Sequence, residues 1–191
     1  MAPSSRNEIH FGPFEVTEQV FHRTANCYAL VNIKPILPGH VLVIPFRPVQ
    51  RLTDLNTSEV TSIFTTVQKV QKMLAKVHFK SISQEEGSIE DGSFNIAIQD
   101  GKESGQTVPH MHCHIIPRTR VEEGEKGEGD GIYDRLQGEE GNVGGGLWDL
   151  WERPEQKGKF PVIEDEDRIP RSKEDMNREA EFYREQMALL D

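Results

Sequence analysis

The chain is expected to fold as an α+β domain: an antiparallel sheet with a long helix packed on it, a C-terminal helix, and extended acidic loops. Three observations predict this. Four short β-rich runs crowd into residues 10–46, "HFGPFEV", "QVFHRTA", "CYALVNI" and "HVLVIPF", and their short connections favour antiparallel pairing. A single apolar stripe at helical spacing follows. Two more β-rich runs, "SFNIAIQ" and "HMHCHIIP", then flank the turn-rich connection "DGKESGQTVP".

Each element has a local cause. "KPILPGH" separates the third and fourth runs; its Pro-Gly is a turn signal, and His40 sits where the turn feeds the next strand. Asn56 can cap the helix, with Glu59 in the capping-box place. Val60, Ile63, Phe64, Val67, Val70, Leu74 and Val77 then repeat at three and four, a stripe suited to lie on a sheet. "KSISQEEGSIEDG" is a polar loop longer than such a connection needs. In "SFNIAIQ", Phe94, Ile96 and Ile98 share one face. In "HMHCHIIP" the period of two puts Met111, Cys113 and Ile115 on the apolar face toward the helix. His110, His112 and His114 fall on the opposite face, away from the core and toward solvent.

Past Arg118 the composition changes. "VEEGEKGEGDG" and "QGEEGNVGGG" are too rich in Gly and Glu to bury much, with "GIYDRLQ" as an island between them and Trp148 and Trp151 as packing anchors beyond. The closing "SKEDMNREAEFYREQMALL" has Ser172 as a cap and Met176, Ala180, Tyr183, Met187 and Leu190 on one face. The expected division is a tail at 1–8, a core domain at 9–118, a solvated loop at 119–170 and a docking helix at 171–191.

The 191 residues carry a formal charge of −10 with no Lys/Arg cluster, which argues against nucleic acid as a partner. No stretch approaches a membrane span, and "MAPSSRNEIH" lacks the apolar centre of a signal peptide. Two cysteines, Cys27 and Cys113, make no disulfide framework, so a reducing compartment is expected: cytoplasm, and the nucleus as well.

Three imidazoles within five positions call for chemistry. A strand that merely tolerates histidine is one reading, and a zinc site built on His-x-His is another. The third is phosphorus chemistry, because a neutral imidazole is a nucleophile at physiological pH. His112 in the middle is best placed to attack, with His110 and His114 to orient it, donate a proton or contact phosphate oxygens. Before them, Gly105 permits close backbone approach, Gln106 and Thr107 offer side-chain donors, and Pro109 stiffens the entry to the strand.

"HMHCHII" resembles the signature of the histidine triad (HIT) superfamily. "NIAIQDGKESGQTVPHMHCHIIPR" and "ALVNIKPILPGHVLVIPFRPVQRLTDL" are similar to blocks of its fragile histidine triad branch, the dinucleoside triphosphate hydrolases. "GIYDRLQ" and "RSKEDMNREAEFYR" resemble later segments of the same branch. The resemblance implies an α+β fold that dimerises into a continuous sheet. It implies cleavage of diadenosine triphosphate to AMP and ADP through a nucleotidyl-histidine on His112. His114 would then contact phosphate, His110 would brace, and His40 would stand behind the nucleophile. Asn32 would bind the ribose side, with Gln99, Gly105, Gln106, Thr107 and Val108 at the polyphosphate. A divalent cation, magnesium or manganese, would support activity without a tightly bound metal site. Pro13 or Phe14 stands where the family has a nucleotide-contacting histidine. The alternatives are a nucleoside phosphoramidase of the small triad branch and a nucleotide-binding signalling module.

Overall fold

The computed structural model describes residues 8–79, 86–119 and 170–190. The Gly/Glu-rich runs, "GIYDRLQ" and the two tryptophans lie outside the described residues. So do most of the N-terminal tail and residues 80–85.

A five-stranded antiparallel sheet forms the centre. Its strands are β3 (Val20–Arg23), β4 (Cys27–Val31), β5 (Val41–Pro45), β6 (Gly92–Ile98) and β7 (Cys113–Thr119), in the spatial order β3-β4-β5-β7-β6. The expected first strand is instead a separate hairpin, β1 (His10–Phe11) and β2 (Phe14–Glu15). Gly12 turns it at φ 53°, a left-handed conformation that glycine adopts without steric penalty.

Helix α1 (Thr57–His78) is capped as its sequence predicts: Asn56 Oδ1 accepts from the Glu59 N–H at 3.0 Å, and Glu59 Oε2 accepts from the Asn56 N–H at 2.9 Å. The Arg47 guanidinium also binds Glu59, and with the cap it holds that carboxyl down at about 2. Ile63, Val67, Val70 and Leu74 are buried, together with Met73. Phe64 corrects the expected stripe. It stands one residue past Ile63, about 100° around the helix, and is exposed. Ile96 is exposed as well, because β6 is an edge strand. Helix α2 (Lys173–Ala188) is capped by Ser172 and buries Met176, Ala180, Tyr183 and Met187.

Both helices pack on the same face of the sheet. There Ala29, Val43, Met111, Cys113 and Ile115 meet Ile63, Val70 and Met73 of α1 and Tyr183 of α2 in one cluster. The opposite face carries Tyr28, Leu30, Leu42 and Ile44, and the N-terminal hairpin covers them with Ile9, Phe11 and Val16. The expectation that this second face meets solvent is therefore corrected. His110, His112 and His114 point away from the helices, yet all three are buried.

The last β-rich run also begins later than expected. The ladder of β7 starts at Cys113, and residues 110–112 spend their hydrogen bonds elsewhere. Pro109 has no N–H, His110 N donates to Val108 O at 2.7 Å, and Met111 N donates to Val49 O at 2.7 Å. The carbonyl of Pro45, at the end of β5, bonds the His110 ring at 2.8 Å. Two of the three histidines thus stand on an irregular segment that enters the strand.

Candidate active site

The protonation of each ring follows from its partners. His110 Nδ1 accepts from the Gly12 N–H at 3.2 Å, so its proton is on Nε2 and is donated to Pro45 O. His112 Nδ1 lies 2.8 Å from the His110 carbonyl, which can only accept. The His112 proton is therefore on Nδ1, and Nε2 carries a lone pair. His40 Nδ1 accepts from the Ile36 N–H at 3.1 Å, which leaves Nε2–H to donate to His114 Nδ1 at 2.9 Å. His114 must then hold its proton on Nε2. That atom is buried and has no hydrogen-bond partner among the described residues.

The outcome is a lone pair on His112 Nε2 near a buried N–H of His114 that has no partner among the described residues. The rings of His112 and His114 meet edge-on with centroids 4.9 Å apart. Burial pushes His112 down to about 4, against the upward pull of the His110 carbonyl. His114 lies well below the ordinary histidine value, through burial first and then the neighbouring His112 and His40. His110 is lowered by burial too. All three rings are neutral at pH 7, as nucleophilic use of His112 requires.

His40 stands behind His114, one ring removed from His112. The Asn32 amide nitrogen lies 3.4 and 3.3 Å from the two His40 ring nitrogens, and its Oδ1 accepts from the Lys34 N–H at 2.9 Å. Gln99 and Gly105 meet in the loop ahead of the triad. Gly105 has φ 87°, and a Cβ there would lie 2.8 Å from Gln99 Nε2, so the amide rests on the bare backbone. Gln106 Nε2 donates to Gln50 O at 2.8 Å, and its Oε1 is buried without a partner among the described residues. Val108 turns its side chain into the cluster beneath the hairpin, where a Cβ on Gly12 would meet it at 2.6 Å. Only its peptide group can face a ligand.

Several contributors escaped the sequence reading. Phe11 packs edge-on to His112 at 5.1 Å and tilted to His110 at 5.6 Å. The Gly-Pro turn in "HFGPFEV" was the signal that could have revealed its hairpin. Arg51 donates to the Asp100 carbonyl, while Leu52 N donates to Asp100 Oδ1 at 2.9 Å, fixing the loop that leads to the triad. A cavity of about 300 Å³ opens beside Phe11, walled also by Phe14, Leu30, Ile33, Lys34 and Arg171. No local pattern pointed to Arg171. Among the described residues no group of three or more His, Cys, Asp or Glu side chains is placed to hold a metal ion.

The HIT domain model matches residues 13–121, more than half of the chain. The chain belongs to the HIT family. A Schizosaccharomyces pombe HIT relative, an asymmetrical bis(5'-nucleosyl)-tetraphosphatase, is 44% identical over 183 residues, covering 93% of each chain. A Saccharomyces cerevisiae bis(5'-adenosyl)-triphosphatase is 45% identical over 135 residues; these are 70% of this chain and 58% of the yeast protein. The Arabidopsis thaliana bifunctional bis(5'-adenosyl)-triphosphatase/adenylylsulfatase FHIT is 39% identical over 95% of this chain and 85% of its own. Among solved structures, the Caenorhabditis elegans NitFhit protein superposes with a TM-score of 0.62 at 31% identity, covering 96% of this chain and 31% of the worm chain. Plasmodium falciparum diadenosine triphosphate hydrolase gives 0.61 at 25% identity, covering 99% and 90%. The HIT fold expected from the sequence is thus the observed one.

Proposed function

We propose that this HIT protein is a dinucleoside polyphosphate hydrolase that cleaves diadenosine triphosphate to AMP and ADP through a nucleotide bonded to His112. The observation that carries the reading is the tautomer pair. His112 presents a lone pair at Nε2, and His114 holds beside it an N–H with no partner among the described residues. The names of the relatives point to the same substrate class.

In the first step, His112 Nε2 bonds to the α-phosphorus as the bridging P–O bond breaks and ADP leaves with that electron pair. The ring becomes cationic, and the His110 carbonyl is already in place to accept its Nδ1–H. His114 Nε2–H donates to a non-bridging phosphate oxygen as charge builds there. In the second step a water oxygen bonds to phosphorus, Nε2–P breaks, AMP departs and a proton passes to solvent. The cavity beside Phe11 is open to the nucleoside, with the exposed ring of Phe14 available for base stacking and Asn32 on the ribose side. Gln99, Gly105, Gln106, Thr107 and the Val108 peptide face the polyphosphate. Magnesium or manganese would arrive as part of the polyphosphate substrate, held by its phosphate oxygens.

The protein would act as a homodimer, with a second copy extending the sheet at the β6 edge, where Ile96 is exposed. Cys27 and Cys113 are buried and unbridged, which suits the cytoplasm or nucleus, and no described helix is long and apolar enough to cross a membrane. Replacing His112 by Ala should lower AMP release from diadenosine triphosphate by about 10³-fold or more. Turnover near the wild-type rate in that variant, or a trapped nucleotide on another side chain, would overturn the assignment.

A further inference from the structure

The loop of residues 32–40 delivers two groups to the site, Asn32 at its start and His40 at its end; Arg171, just ahead of α2, holds the start, and His78 of α1, bonded to Tyr183 of α2, lies against the end. At the start, Arg171 N donates to Ile33 O at 3.1 Å, and Arg171 Nη1 reaches Asn32 O at 3.5 Å. The same guanidinium nitrogen is paired with Glu179 Oε2 at 2.5 Å. The other oxygen of Glu179 accepts from the Tyr183 hydroxyl at 3.1 Å. Since that hydroxyl donates its only proton to the carboxylate, it must accept from His78 Nε2–H at 2.8 Å. His78 in turn lies against the end of the loop: a Cβ on Gly39 would fall 2.7 Å from His78 Nε2. Gly39 has φ 80° and directly precedes His40.

From these contacts we infer that Arg171, Glu179, Tyr183 and His78 form a clasp that positions Asn32 and His40, making the terminal helix a working part of the nucleoside site. Arg171 is the principal positioning residue. It also walls the cavity, together with Pro170, Lys173 and Met176 from the same segment. The polar chain runs through the helix-side layer, where Tyr183 is fully buried and Arg171 and Glu179 are mostly so. An ion pair in that setting fixes geometry well, because a guanidinium fork leaves little rotational freedom. Sequence separation hides the clasp, since Asn32 and Arg171 are 139 positions apart.

The inference rests on the hydrolase reading, and its test separates the two. Steady-state kinetics on diadenosine triphosphate should show Arg171→Ala raising KM by about 10-fold with kcat within about 2-fold of wild type, the mark of lost ground-state positioning. Glu179→Gln and Tyr183→Phe should raise KM by smaller factors, and Arg171→Lys should recover part of the loss. Thermal denaturation of each variant reports any purely structural role. A lowered midpoint with unmoved KM would overturn the clasp while leaving the hydrolase intact. A substrate-free readout covers a wild-type chain that does not turn over. In ¹⁵N-histidine spectra of Arg171→Ala, the His40 ring resonances should move while those of His10 stay; an unmoved His40 would overturn the inference. Should Arg171→Ala not fold, Arg171→Lys and Tyr183→Phe decide by the same criteria.

Discussion

The two faces of the sheet are covered to similar depth by different means. On the helix face an apolar cluster fills the centre, where Val43, Met73, Cys113 and Ile115 are fully buried, and the polar contacts of Tyr183 and Glu179 run along one side of it. On the other face a short hairpin and one loop enclose four histidines, each tied to a backbone group or to another ring. The helix face gains stability from area removed from water. The histidine face keeps polar groups away from solvent and leaves His114 Nε2–H without a partner among the described residues. Such an orphan costs folding free energy and is useful when charge develops beside it. Cys113 and His114 are neighbours in the chain, yet they belong to opposite regimes because the strand alternates. Burial raises the Cys113 thiol to about 12, so it stays protonated on the packing side.

The contrast can be pushed until it fails. Ile115→Ala removes a fully buried side chain on the helix face and should cost about 2–5 kcal/mol, read by denaturant melts, with kcat nearly retained. A comparable loss of turnover at intact stability would show that the two faces do not divide their roles.

The histidine face should also make the fold acid-sensitive. His110, His112 and His114 are all depressed below the unfolded value, so above about pH 6.5 neither state binds the extra proton and stability is full. As pH falls from about 6.5 toward 4 the unfolded chain takes up protons first and stability drops, by about 3 kcal/mol from His112 alone. Melts at pH 7, 5.5 and 4.5 would check the slope, and His112→Asn should flatten it.

The smallest effect tests the hairpin. Gly12→Ala places a Cβ against Val108 at a positive φ, which should cost about 1–2 kcal/mol. The same change disturbs the Gly12 N–H that holds His110, so activity should fall by more than that destabilisation accounts for. Equal stability and equal activity would mean the cover is dispensable.

Much of the scaffold was legible residue by residue. The cap of α1 and its stripe through Ile63, Val67, Val70 and Leu74 arise from contacts three or four positions apart, and so did the expectation that Met111, Cys113 and Ile115 would face a helix. Phe64 was misplaced, and the exposure of Ile96 has the same cause. Hydrophobicity marks what can be buried, whereas exposure depends on where a neighbouring element stops. In "HMHCHIIP" the alternation read correctly although the ladder did not, because Pro109 and the His110 and His112 rings compete for the backbone bonds.

Spacing in the chain was enough to put His110, His112 and His114 on one face, since neighbours at a period of two share a face in any extended conformation. It could not say which nitrogen bears each proton. That depends on Gly12, Ile36, His40 and Pro45, brought in from far along the chain, and tautomers answer to partners rather than to order. Nor could it say that the second face would be dry, or that Arg171 would meet Asn32 across 139 positions. Those are consequences of packing, where the hairpin and the terminal helix settle only after the sheet exists to receive them.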